Sequence, residues 1–345
     1  MKYGLMPENP VERGGIAANP QVRTLFDPFI PAIISQTLIA AADCGVFEAL
    51  APGQLSPEQL AEKLSLDKNM LDSILRVLTC CDYLTKDGEN YSLSELARLS
   101  LIGPSPVSLN SWVRLNGIQW RAFSRMGEVL RSGECINFHT EFGTDTDWEI
   151  YQYAMMETAR PAAEWVAVQI ALPSEPKLML DIGGSHGLYS AAICRANPPL
   201  KSEIMELAQA IPAARQIARE LDITDAVSFI EGDILAADLG REKYDAVFMG
   251  NIIHHFTEEQ NLGIIGKIRL ALKSAGTLAI WDLRKPESAS APDLISDCFA
   301  LFFQITSASK CFSGAEILGW LEAEGFAEIK ICPAPTHNLI TARKI

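Results

Sequence analysis

Basic residues are scarce: 29 Lys and Arg face 43 Asp and Glu in 345 residues, for a net charge of −14. Binding a phosphate backbone needs a cationic footprint, so nucleic acid is not an expected partner. The eight cysteines (Cys44, Cys80, Cys81, Cys135, Cys194, Cys298, Cys311 and Cys332) include no C-x-x-C pair. They read as the reduced thiols of a cytoplasmic protein. Five histidines (His139, His186, His254, His255 and His337) show no H-E-x-x-H spacing, and no metal is expected. Long apolar runs are missing as well. Phe29 to Leu50 is interrupted by Pro31, Gln36 and Asp43, which argues against a span of ~20 residues. Met1 to Glu8 lacks the apolar stretch of a signal peptide. There is no internal repeat and no low-complexity tract.

What remains is the composition of a globular protein, 48% hydrophobic and 21% charged, long enough for about two domains. The first ~20 residues carry Pro7, Pro10, Pro20 and Gly14-Gly15 and read as a loose arm. Helical spacing runs from Ile33 to about Leu50. Ser56-Pro57-Glu58-Gln59 opens a second helix and Asp67 a third, with Leu71, Ile74, Leu75 and Leu78 on one stripe. Asp87-Gly88 marks a hairpin turn between Tyr83-Leu84-Thr85 and Tyr91-Ser92-Leu93. Helices followed by a hairpin make a winged-helix pattern over residues 1–105. That module holds eight Lys and Arg against thirteen Asp and Glu, so packing or dimerisation suits it better than DNA. From 106 to 345 a second domain is expected, entered through bridging helices around Trp112, Trp120, Phe123 and Met126, then Trp148 to Met156.

From Lys177 onward strands and helices alternate. Leu178–Ile182, 204–207, 227–230, 244–249 and 278–281 are short apolar runs of the kind found in buried parallel strands. Helical segments near 188–196, 209–221, 258–273 and 292–305 separate them. The expected fold class is α/β: a doubly wound, Rossmann-like domain behind a mostly helical winged-helix module. Ligands in such a sheet bind beyond the carboxyl ends of the strands.

The chemistry-bearing residues fall at those ends. Asp181-Ile182-Gly183-Gly184-Ser185-His186-Gly187 is a glycine turn after the first strand, allowing close backbone approach by a ligand. Its D-x-G-x-x-x-G spacing is not G-x-G-x-x-G, and this favours S-adenosylmethionine (SAM) over a dinucleotide. Glu206 ends the second strand, either as an acceptor for a ribose diol or as a solvated strand-end acid. Asp233-Ile234 follows the third, either against an adenine or as a turn. His254 lies just past the fourth strand, and His255 is expected to point elsewhere. Thr257 and Gln260 form a capping box for the next helix.

Together, over roughly 25–345, these residues resemble the SAM-dependent small-molecule O-methyltransferases with an N-terminal winged-helix dimerisation domain, such as the caffeate, polyketide, phenazine and hydroxyneurosporene types. The resemblance implies a homodimer formed through the N-terminal module. It would bind SAM, release S-adenosylhomocysteine and methylate a small aromatic hydroxyl compound. It places Asp181, Gly183, Gly184, Ser185, Gly187, Glu206, Asp233, Ile234, Gly250 and Phe256 at the cofactor. It makes His254 the general base, backed by Asp282. Met155, with Tyr151, Trp120 and Phe302, would line an aromatic acceptor pocket. The chain departs from the family pattern in four places. Glu206-Leu207-Ala208 replaces Asp-Leu-Pro, a conservative change for ribose binding, Gly250 stands where a basic or polar residue is common, His255-Phe256 replaces Asp-Trp, and Cys311 occupies the position of a second acid. Two rivals stand beside this reading: C- or N-methylation or non-methylating chemistry on the same fold, and a non-catalytic winged-helix regulator with a ligand-sensing domain.

Overall fold

A computed structural model of the chain describes residues 9–19, 21–103, 105–285, 293–307 and 309–345. Residues 1–8 and 20 of the expected loose arm and residue 292 of the 292–305 helix lie outside these residues; the rest of the arm is not loose but holds a helix over Pro10–Ala18, capped by Asn9. Two compact units meet between Gly117 and Ile118.

The first unit contains α1 (Pro10–Ala18), α2 (Val22–Phe26), α3 (Ile30–Asp43), α4 (Val46–Leu50), α5 (Pro57–Leu64), α6 (Lys68–Cys80), β1 (Leu84–Asp87), β2 (Asn90–Leu93), α7 (Glu95–Ser100) and the start of α8 (Asn110–Ser124). The single helix expected over Ile33–Leu50 is two helices. Gly45 takes a left-handed φ of 74° that a continuous helix cannot hold. Ser56 and Gln59 close a capping box on α5, and Asp67 caps α6 by accepting from the Met70 N–H. The hairpin turn sits one residue later than expected: Asp87 pairs with Asn90, leaving Gly88, at φ 57°, in the first turn position. Leu71, Leu75 and Leu78 bury one stripe of α6 against Phe47, Leu60, Leu84 and Tyr91.

The apolar residues at the front behave differently from the sequence expectation. Pro31 falls in the first turn of α3, where it interrupts nothing. The run Val22–Asp43 is therefore long and apolar enough to cross a membrane by length and composition, with mean hydropathy 1.5. Within this chain only 17% of that window is buried, and Leu25, Phe29 and Ile33 are 67%, 60% and 46% exposed.

The second unit continues with α9 (Met126–Ser132), a 3₁₀ turn (Phe138–Glu141) and α10 (Asp145–Gln169). Then come β3 (Leu178–Ile182), α11 (Leu188–Ala196), β4 (Lys201–Glu206), α12 (Ile211–Glu220), β5 (Val227–Glu231) and β6 (Tyr244–Gly250). A second 3₁₀ turn (Ile253–His255), α13 (Glu258–Ala271), β7 (Leu272–Leu283), α14 (Leu294–Thr306), α15 (Gly314–Ala323), β8 (Phe326–Pro333) and β9 (His337–Lys344) complete it. The strand order is β5-β4-β3-β6-β7-β9-β8, with the first five parallel, β9 antiparallel to β7 and β8 antiparallel to β9. The C-terminal pair was not expected, because β8 reads as an irregular mix of apolar and polar residues and lies at the sheet edge. Strand alternation sends Leu180, Val247 and Ile280 toward α13 and α15, while Met179, Phe248 and Trp281 face α10 and α11. The order of strand addition reverses at β3: β4 and β5 are laid down on one side of it and β6 and β7 on the other, which opens a crevice at the carboxyl ends of β3 and β6.

Candidate active site

That crevice is a cavity of about 480 Å³. Asp181, Gly183, Gly184 and Ser185 form one wall, with Glu206, Asp233 and Ile234 beside them. Gly250, Asn251, Ile252, Phe256 and Gln260 form another. The far end is made by Cys135, His139, Trp148, Tyr151, Gln152, Met155, His255, Thr306 and Ser307.

The glycine turn leaves no room for side chains. A Cβ on Gly183 (φ 65°) would stand 2.2 Å from Ile252 Cδ1, and one on Gly184 would stand 2.3 Å from Asp181 Oδ2. Gly187 is not on the cavity wall. At φ 75° it starts α11 and packs its backbone toward Ile204. Asp181 is 1% exposed, and its Oδ2 accepts from Ser190 Oγ at 2.7 Å, while its Oδ1 is buried with no partner. Burial pushes its carboxyl up to about 7 against the pull of the Ser190 bond. Glu206 accepts from the Ser185 N–H at 2.9 Å on one oxygen and from the Leu207 N–H at 2.9 Å on the other. Burial outweighs these two bonds and pushes Glu206 to about 7 as well. Ser185 Oγ also donates to Gln152 on α10.

The loop carrying Asp233 and Ile234 is gripped from α13. Lys267 Nζ donates to the carbonyls of Ile234, Leu235 and Ala237 at 3.0, 2.8 and 3.2 Å. Asp233 Oδ1 accepts from the Leu235 N–H at 2.9 Å.

Beyond β6, Asn251 takes a left-handed φ of 55°, and its Oδ1 accepts from His337 Nε2 at 2.9 Å. The 3₁₀ turn that follows separates neighbouring side chains by ~120°. One of them, His254, turns inward, with Nδ1 2.6 Å from Asp282 Oδ1. Asp282 also accepts the Ile253 and Leu283 N–H groups at 3.1 and 2.8 Å. Phe303 covers the His254 ring at a centroid distance of 3.8 Å, and His254 is not among the wall residues. Its neighbour His255 is on the wall, contrary to the expectation that it points away. Cys311 is a buried thiol pushed up to about 12 by burial and then by the Asp282 charge.

Met155 and Tyr151 reach the cavity from α10, but Trp120 and Phe302 do not. Trp120 packs edge-on against Phe123 and is 36% exposed. Phe302 stands one ring behind the wall, against Phe138, which in turn meets Tyr151. Sequence reading did not single out His139 or Trp148 as wall residues. His139 sits in a separate short turn, and only tertiary packing lays it parallel to Trp148, at 5.6 Å and 3°.

Residues 124–326 match the O-methyltransferase domain family, and residues 30–103 match the O-methyltransferase dimerisation domain. The chain belongs to the O-methyltransferase family. It is accordingly a SAM-dependent methyltransferase, and the regulator reading falls. It is similar to a 3-hydroxy-5-methyl-1-naphthoate 3-O-methyltransferase of Streptomyces sahachiroi, at 25% identity over 86% of this chain and 87% of that one. It is also similar to the N,N-dimethyltransferase OxyT of Streptomyces rimosus, at 24% identity over 80% and 82%. Its fold matches that of human N-acetylserotonin methyltransferase in complex with SAM, with TM-score 0.81, 20% identity and 99% of both chains covered.

Proposed function

We propose that this enzyme methylates a phenolic hydroxyl of a small aromatic acceptor, with His254 as general base and Asp282 as the group that orients it, and that it works as a homodimer. The observation that carries the reading is the His254–Asp282 pair at 2.6 Å beside the crevice.

The cavity residues suit SAM. The unpartnered Asp181 Oδ1 favours a cationic group, and Gly183 and Gly184 line the cavity without side chains of their own. Each Glu206 oxygen keeps acceptor capacity for a ribose diol. Asp233, Ile234 and Phe256 supply an acceptor and apolar faces for adenine. Bound there, SAM supplies an electrophilic methyl group.

Asp282 accepts from Nδ1 and so keeps the Nε2 lone pair free for the acceptor's proton. A phenol near pKa ~10 and an imidazole near ~6.5 make complete prior proton transfer uphill by roughly 5 kcal/mol. Proton removal therefore accompanies bond formation, a contribution of about 10²–10⁴ in rate.

One observation favours a second reading, transfer to nitrogen or carbon: the His254 ring is covered by Phe303, and an amine acceptor needs no buried base. Incubation with SAM and a panel of hydroxy- and amino-aromatics, scored by S-adenosylhomocysteine release and product mass, tests both readings. O-methylation that persists unchanged in His254→Ala would overturn the base assignment. Absence of S-adenosylhomocysteine binding by calorimetry would overturn the cofactor site.

A further inference from the structure

The cavity is electrostatically one-sided. Its described wall carries the carboxylates Asp181, Glu206 and Asp233 and no Lys or Arg. At the far end the polar groups include two imidazoles, His139 and His255, with centroids 5.7 Å apart. Burial holds both neutral: His139 is lowered to about 4, and His255 falls well below the ordinary histidine range, helped by its imidazole neighbours. Neither ring makes a hydrogen bond to a described residue, so each offers one donor and one acceptor to an incoming molecule. Trp148 lies parallel to His139, and Tyr151 stands edge-on to it at 5.6 Å and 89°, which leaves flat aromatic faces around those polar edges. Of the guanidinium groups nearby, Arg160 acts on the wall residue His186 but does not itself line the cavity, and its Nη1 is buried without a partner, while two others are engaged elsewhere. Arg121 reaches the Glu141 carbonyl and Asp147, and Arg125 pairs with Glu128 and Glu141.

We propose that this end of the cavity selects an uncharged, flat hydroxy-aromatic acceptor bearing a second neutral polar group, a carbonyl or hydroxyl, and rejects acceptors with a free carboxylate or phosphate. The inference rests on the methyl-transfer reading of the same site. An anion entering here loses its water and meets no Lys or Arg on the described wall. A neutral carbonyl or hydroxyl instead finds the free edges of His139 and His255.

The test compares 1-hydroxy-2-acetonaphthone, methyl 1-hydroxy-2-naphthoate and 1-hydroxy-2-naphthoate. Binding is read by calorimetry and tryptophan quenching on wild-type protein saturated with S-adenosylhomocysteine, a zwitterion without net charge. The ketone and the ester should bind at least tenfold more tightly than the acid. In His255→Lys, and independently in His139→Lys, that ratio should shrink at least tenfold while S-adenosylhomocysteine affinity stays at the wild-type value. An acid that binds as well as its ester, or a ratio unmoved in a variant that still binds S-adenosylhomocysteine, overturns the proposal. So does failure of all three compounds to bind the loaded protein. Failure to bind S-adenosylhomocysteine itself overturns the methyl-transfer reading instead.

Discussion

His254 Nδ1 lies 2.6 Å from Asp282 Oδ1, and both side chains are 3% exposed. Asp282 accepts three hydrogen bonds, two of them from backbone N–H groups that hold the end of β7 and the 3₁₀ turn together. An amide at 282 would set its NH₂ against one of those donors. We therefore expect Asp282→Asn to lose about 10²-fold or more in kcat, and His254→Ala about 10²–10⁴-fold. S-adenosylhomocysteine affinity should stay near wild type in both. Asp282→Ala should additionally lose roughly 3 kcal/mol of stability, because it strands buried donors. Steady-state kinetics, calorimetry and urea titration separate these outcomes.

Glu206 makes a pH-dependent contribution of known sign. Burial raises its pKa from 4.5 to about 7. Between those values the folded protein holds a proton that the unfolded chain releases, so this group's stabilising contribution is complete below about pH 4.5 and fades as pH rises through 7. The span corresponds to roughly 3 kcal/mol. Asp181 acts in the same direction. His139, His186 and His337, lowered to about 4, 3 and 4 by burial, act in the opposite one. Glu206→Gln isolates the first effect: ligand-free, it should gain stability over wild type progressively from pH 5 to pH 8. Parallel urea midpoints across that range would contradict the assignment.

Lys267 places three N–H donors on three carbonyls of the loop that carries Asp233 and Ile234. Lys267→Met keeps the apolar stem and removes the grip. It should weaken S-adenosylhomocysteine binding about tenfold, or ~1.4 kcal/mol. At saturating SAM, kcat should remain within about twofold, because no reacting group is touched. A fall in kcat with unchanged affinity would assign Lys267 a different role.

The exposed apolar residues Leu25, Phe29 and Ile33 border the family's dimerisation segment, which begins at residue 30. A face of this kind is expected to be covered by a second copy. The double substitution Phe29→Asp and Ile33→Asp should convert a dimer to a monomer in light scattering while the circular dichroism spectrum is retained. An unchanged mass, or wild-type protein that is already monomeric, would reject the assignment.

The readable parts of this chain are those that local physics dictates. Asp67, Ser56 and Thr257 cap helices because their oxygens lie one turn from free N–H groups, wherever the helix sits. The β3 strand and its glycine turn are legible because Gly183 and Gly187 need positive φ and Leu178–Ile182 is a short apolar run broken only by Asp181. The break at Gly45, the edge strand β8 and its neighbour β9 were harder. One glycine inside an apolar run is ambiguous, and β8 carries no continuous apolar signature.

The sequence by itself determined the α/β fold class, the capped helices and the strand-end positions of Asp181, Glu206, Asp233 and His254, since each follows from patterns a few residues long. Only the tertiary structure decided which neighbouring imidazole turns inward to Asp282 and which faces the cavity. It alone brought His139 against Trp148 and moved Trp120 and Phe302 off the wall. Those outcomes depend on contacts between segments up to about a hundred and sixty residues apart, and no local spacing encodes which ring will fill a shared space.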